Sequence, residues 1–134
     1  MAGAWLLRAS PSALTPPGCC VTLQATGRVA GALGLVALGL PTPTHETILV
    51  VVAGLPPPQD IGASCVRYQV WVYGGGSLRL GIALRPGPGP GLFAGGLGPL
   101  TPGPWSEIAL TPEPRFSATP SGPVLLAASF AYCR

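Results

Sequence analysis

The sequence predicts an all-β protein: a single antiparallel β-sandwich with little helix and long loops rich in glycine and proline. Three observations carry that prediction. The 20 glycines and 18 prolines among 134 residues oppose long helices, because each costs roughly 1 and 3 kcal/mol, respectively, inside one. Yet 48% of the residues are apolar, only 8% are charged and the mean hydropathy is +0.51, the reverse of the balance that keeps chains disordered. Apolar residues also recur at every second position in several short runs, which is the period of a half-buried strand. Glycine does not recur at every third residue, so collagen is excluded. The length fits one domain, 1–134, with residues 1–17 as an N-terminal extension or arm.

Taken in order, Met1 to Arg8 opens with an apolar run that is too short for an export signal and is interrupted by Arg8. Cys20 to Ala25 alternates Val21, Leu23 and Ala25 against Thr22 and Gln24. Val29 to Leu40 is nearly all apolar, but it is broken by Gly31, Gly34 and Gly39 and too short to span a bilayer. It reads as one or two buried strands weakened by glycine. Thr44 to Leu55 is rich in β-branched residues (Thr47, Ile48, Val50, Val51, Val52) and reads as a central strand.

The clearest signal is a hairpin. Val66, Tyr68, Val70 and Val72 alternate against Arg67, Gln69, Trp71 and Tyr73, and Gly74-Gly75-Gly76 follows. Leu78, Leu80, Ile82 and Leu84 then alternate against Ser77, Arg79, Gly81, Ala83 and Arg85. The valine and leucine sides, with Tyr68, are expected in the core, and the Arg/Gln/Trp/Tyr side is expected outside. With all three glycines in the loop, Tyr73 faces Ser77, Trp71 faces Arg79, and Gln69 faces Gly81.

Pro86 to Pro104 holds 13 glycines or prolines in 19 residues and reads as an extended surface loop, 86–104. Its Leu92, Phe93, Leu97 and Leu100 cannot form a core of their own, so they are expected to contact this domain or a neighbour. Trp105 to Thr111 alternates Ser106, Ile108 and Leu110 against Trp105, Glu107 and Ala109. Val124 to Cys133 places Val124, Leu126, Ala128, Phe130 and Tyr132 on one face.

Seven or eight such strands, with turn signals between them, fit a jelly-roll-like sandwich. The order over residues 18–133 resembles that of carbohydrate-binding-module-like jelly rolls. It shares an early strand of small and apolar residues, a run like Tyr68-Gln69-Val70-Trp71-Val72-Tyr73 and a Gly-rich turn. A run like Leu78-Arg79-Leu80-Gly81-Ile82, a Trp-initiated strand like Trp105-Ser106-Glu107-Ile108 and an apolar last strand complete the likeness. The same jelly-roll fold also serves virus capsid and tail proteins, so the resemblance implies either setting.

The chemistry narrows the classes further. All seven basic residues are arginines (Arg8, Arg28, Arg67, Arg79, Arg85, Arg115 and Arg134), against Glu46, Asp60, Glu107 and Glu113. A net charge of +3 spread along the chain is no footprint for nucleic acid. One histidine, His45, and one aspartate, Asp60, leave little material for a catalytic triad. No serine lies in a Gly-x-Ser-x-Gly setting, and the glycine triplet lacks the Lys-Ser/Thr of a phosphate loop. An enzyme is therefore not expected, nor is a cofactor. Cys19, Cys20, Cys65 and Cys133 lack the paired spacing of a zinc site, and no metal is expected. They stand either as small buried thiols or as a disulfide joining Cys19 or Cys20 to Cys65 or Cys133.

Gln69, Trp71, Tyr73 and Arg79 form the candidate binding face, suited to protein contact or to stacking on a sugar ring. The expected function is that of a non-catalytic structural protein of a phage or virus particle: a capsid decoration or a tail or fibre accessory subunit. Its partners would be other copies of itself and other virion proteins, with neither nucleic acid nor membrane, and its location the virion. The alternative is an extracellular carbohydrate-binding module that uses the Trp71/Tyr73/Arg79 face on a glycan.

Overall fold

A computed structural model describes residues 19–42, 45–100 and 105–130. Its strands are β1 (Cys19–Ala25), β2 (Leu33–Thr42), β3 (His45–Ala53), β4 (Arg67–Gly74), β5 (Ser77–Ala83), β6 (Arg85–Pro86), β7 (Phe93–Leu100), β8 (Glu107–Glu113) and β9 (Leu126–Ser129). The helical content among the described residues is a 3₁₀ turn at Gly27–Val29 and the single turn α1 (Pro58–Ile61). The protein is all-β and antiparallel, as its composition requires.

The nine strands form one sheet in the order β5-β4-β8-β9-β1-β2-β3-β7-β6. Its outermost strands, β5 and β6, are consecutive in the chain and are separated only by Leu84. The stretch 77–86 thus pairs first with β4 and then with β7, drawing the two edges together. The sheet is consequently a nearly closed barrel, which leaves few ladder groups free to recruit another strand. Around it, β8, β4, β5 and the β6–β7 segment follow the Greek-key order. One continuous sheet gives no support to the two-sheet detail of the jelly-roll expectation.

The interior is filled by inward residues of the strands: Leu23, Val36, Leu38, Ile48, Val50, Val52, Tyr68, Val70, Val72, Ile82, Phe93, Ile108, Leu110 and Leu126. Phe130 also belongs to this core, whereas Val124 is exposed and Tyr132 lies outside the described residues. At one end of the barrel the rings of Tyr68 and Phe93 meet edge to face, 4.9 Å apart at 81°.

The hairpin is present, with a different register from the expected one. Gly75 and Gly76 have φ of 63° and 81°, the left-handed pair of a two-residue I′ turn, which matches strand twist. Gly74 therefore stays in β4, opposite Ser77. Arg79 is an extra residue between the pairs Val72–Leu80 and Tyr73–Leu78, so Tyr73 does not face Ser77, nor Trp71 Arg79, nor Gln69 Gly81. Two expected core positions also change. Val66 precedes the ladder and is 51% exposed, and Leu78 is half-buried beside the turn.

Of the expected loop 86–104, the described residues 86–100 do not form an extended loop, and 101–104 lie outside the described residues. From Phe93 to Leu100 the chain is β7, paired with β3. The glycines that suggested a loop serve a close approach: a Cβ on Gly95 would lie 2.8 Å from the Ala83 carbonyl oxygen. A side chain there would hold the two edges of the barrel apart.

Candidate functional site

The predicted binding face lies mostly under the chain itself. Gln69, Trp71, Thr111 and Glu113 point outward from β4 and β8, yet all four are buried. The cover is the segment 114–122 after β8, and polar groups hold it there. Gln69 Nε2 donates to the Ser117 carbonyl (3.2 Å), and the Ser117 N–H donates back to Gln69 Oε1 (2.8 Å). Trp71 Nε1 donates to Thr111 Oγ1 (2.8 Å), and Thr111 Oγ1 donates to Glu113 Oε2 (2.6 Å). The Glu113 carboxylate also accepts the N–H groups of Ser121 (3.0 Å) and Gly122 (3.2 Å) and the Ser121 hydroxyl (2.5 Å).

Burial alone would raise the Glu113 carboxyl. The hydrogen bonds from the Ser121 and Thr111 side chains, with those from the Ser121 and Gly122 backbone, outweigh it and hold the group below its ordinary 4.5. The Trp71 ring lies over β5, where a Cβ on Gly81 would come within 2.9 Å of it; glycine makes room for the indole. Of the four predicted residues, only Tyr73 and Arg79 keep contact with solvent. Tyr73 is half-buried beside a groove of about 510 Å³ with Glu107 and Val124. Arg79 is exposed, and its Nε donates to the Gly74 carbonyl (3.1 Å).

The four predicted loop contacts also separate. Phe93 is buried in its own core, Leu92 is half-buried, and Leu97 is 39% exposed on β7. The side chain of Leu100 lies outside the description. Trp105 is buried and donates from Nε1 to Glu46 Oε1 (2.7 Å). Cys19 is disulfide-bonded, Cys20 and Cys65 are free thiols, and Cys133 lies outside the described residues.

The opposite side of the barrel presents a surface that the sequence reading did not single out. On β2 and β3 the outward residues are Leu33 (60% exposed), Leu35 (52%), Leu49 (53%) and Val51 (40%). The register places Leu35 opposite Val51, Leu49 opposite Ala37, and Leu33 opposite Ala53. Cys20 and Thr22 extend this face on β1, and Ala94 and Gly96 extend it on β7. None of these residues carries a charge. Exposed apolar side chains are ordinary singly, but contiguous ones on adjacent strands mark a contact surface. Their signal was present in the sequence, since both faces of 33–38 and 48–53 are apolar; it suggested full burial, and only the inner face is buried.

Among the described residues, no group of three metal-ligating side chains comes together and no helix is long and apolar enough to cross a membrane. Comparison with known proteins finds no protein family, no curated protein and no solved structure that matches this chain.

Proposed function

We propose that this chain is a non-catalytic structural subunit of a virus particle, a capsid decoration or tail accessory protein, acting through protein–protein contact. The supporting observation is the uncharged apolar outer face of β1, β2, β3 and β7, with Leu33, Leu35, Leu49 and Val51 open to solvent. Its occupant in this reading is a second copy of the chain. A two-fold contact brings a patch against itself, so any charge near the axis would meet its own copy, and this patch carries none. Each leucine that such a contact fully buried would contribute about 1.5–3 kcal/mol relative to full exposure. The glycan alternative relied on an open Trp71/Tyr73/Arg79 face; Trp71 is buried there, while Tyr73 is half-buried and Arg79 exposed.

Sedimentation equilibrium of the chain and of its Leu35→Glu/Leu49→Glu variant tests the contact. A species larger than a monomer that the variant reduces to a monomer, with an unchanged far-UV spectrum, supports the reading. A wild-type monomer at high micromolar concentration overturns it. The neighbouring reading frames test the setting, with capsid, portal or tail genes on one side of the decision and a glycosidase gene on the other.

A further inference from the structure

We infer that a second surface, distinct from the assembly face, is a binding site for a small carboxylate with an apolar body. The site is the cavity of about 680 Å³ between α1, the start of β4 and the turn that leads into β7. That volume lies within the range of small-molecule sites, roughly 300–1,000 Å³. Its apolar surfaces come from Leu55, Leu84 and Phe93, all buried, and from the exposed Val66. Two arginines line it as well: Arg67, half-buried, and Arg85, exposed on β6.

The arginines select the ligand class. Among the described residues, no acidic side chain lines the cavity. The Arg67 Nε is buried and has no hydrogen-bond partner. That N–H has no surface open to the cavity, so a ligand would meet the outer N–H groups of the guanidinium, and a planar carboxylate is the group whose geometry matches them, by two parallel hydrogen bonds. The acids nearest in the fold are otherwise engaged or placed. Glu113, opposite Arg67 in the ladder, is bonded by Ser121, Thr111 and Gly122. Asp60, on α1, adds its charge to the burial that pushes the Tyr68 hydroxyl up to about 12. An inorganic anion would leave the apolar surfaces unused, and a hydrocarbon would leave the arginines unpaired.

The cavity is also held open by the backbone. The Leu55 N–H donates to the Gly91 carbonyl (3.2 Å), the Gly87 N–H to Leu92 (2.7 Å), and the Cys65 N–H to Gly62 (2.9 Å). The Tyr68 hydroxyl donates to the Pro56 carbonyl (2.5 Å). These bonds fix the segments on both sides, so binding need not order them. The run Pro86-Gly87-Pro88-Gly89-Pro90-Gly91 thereby acquires a role as a stiff rim.

The probe is octanoate, compared with 1-octanol and octylamine, which share its chain and differ in charge. Binding is read from the methyl NMR signals of Val66 and Leu84 in the intact protein. Octanoate is expected to bind about tenfold more tightly than 1-octanol, as one added charge-assisted contact allows, and octylamine most weakly. Arg67→Leu should bring octanoate to within about twofold of 1-octanol. Arg85→Leu, at an exposed position that the fold tolerates, should move it the same way and decides the matter where Arg67→Leu does not fold. No response of these methyls to millimolar octanoate overturns the site. Equal affinity for the three probes, or a preference untouched by the arginine variants, overturns the carboxylate assignment.

Discussion

The two sides of the barrel share one apolar interior and differ in what their outer residues require. On β4 and β8 the outer positions hold Gln69, Trp71, Thr111 and Glu113, whose polar atoms cannot be buried unless they are bonded. The segment 114–122 supplies those bonds and is fixed by them. On β2 and β3 the outer positions hold Leu33, Leu35, Leu49 and Val51, which offer a covering segment nothing to bond. Hydrogen bonds give a cover one position, whereas apolar contact alone is non-directional. The polar side is therefore closed by the segment 114–122, and the apolar side stays open among the described residues.

The largest test of this difference is Trp71→Ala. Trp71 is as buried as the interior, although it lies outside the barrel, so its removal should cost about 3–5 kcal/mol in urea unfolding, as for a core aromatic. A loss below about 1 kcal/mol would show that this side is not closed.

Next in size is Glu113→Gln. Glutamine keeps the length but replaces a charged acceptor that serves four donors, so a loss of about 2 kcal/mol at neutral pH is expected. The dependence on pH identifies the cause. The carboxyl is held below 4.5 in the folded protein, so the unfolded chain takes up its proton first as pH falls. The stability that this group contributes is complete above 4.5 and is lost as pH drops through the lower folded value. Stability measured against pH should thus fall less steeply on the acid side in the glutamine variant, and the gap between the two proteins should narrow. Parallel acid limbs would assign the loss to packing instead.

Alternation was the legible part of this fold. It located β1, the β4–β5 hairpin and β8, while β-branched residues located β3, and it sorted Tyr68, Val70, Val72, Ile82 and Leu84 to the inside. Two kinds of information were not in it. Alternation says which residues share a face, but not what lies over that face; Gln69 and Trp71 were therefore assigned to solvent, and Leu35 and Leu49 to a buried strand. Glycine is ambiguous as well. In β7, Gly95 permits a backbone approach that no other residue allows, while in sequence it looks like Gly89, which lies in a turn. The turn glycines carried a similar ambiguity, since three in a row do not say which two take the left-handed positions. Placing Gly74 in the strand shifted the register of the face that had been chosen as the site. The Arg67 cavity was beyond reach for another reason: Arg67 on β4 and Arg85 on β6 line one cavity only because the chain passes through Leu84 from pairing with β4 to pairing with β7.

The smallest expected effect on folding belongs to the apolar side, and there the sign of a second measurement carries the comparison. Leu35→Gln/Leu49→Gln exchanges two half-exposed leucines on adjacent strands for residues that water solvates well. Neither side chain reaches the interior, so the stability of the monomer should stay within about 0.5 kcal/mol of the wild type when measured in dilute solution. The wild type, however, gains from mass action if this face meets its own copy, because association stabilises only the folded state. Its Tm should therefore rise with protein concentration, and that of the double variant should not. A concentration-independent wild-type Tm would mean that the uncovered side is an ordinary solvated surface, and the contrast between the two halves would then be one of composition rather than of use.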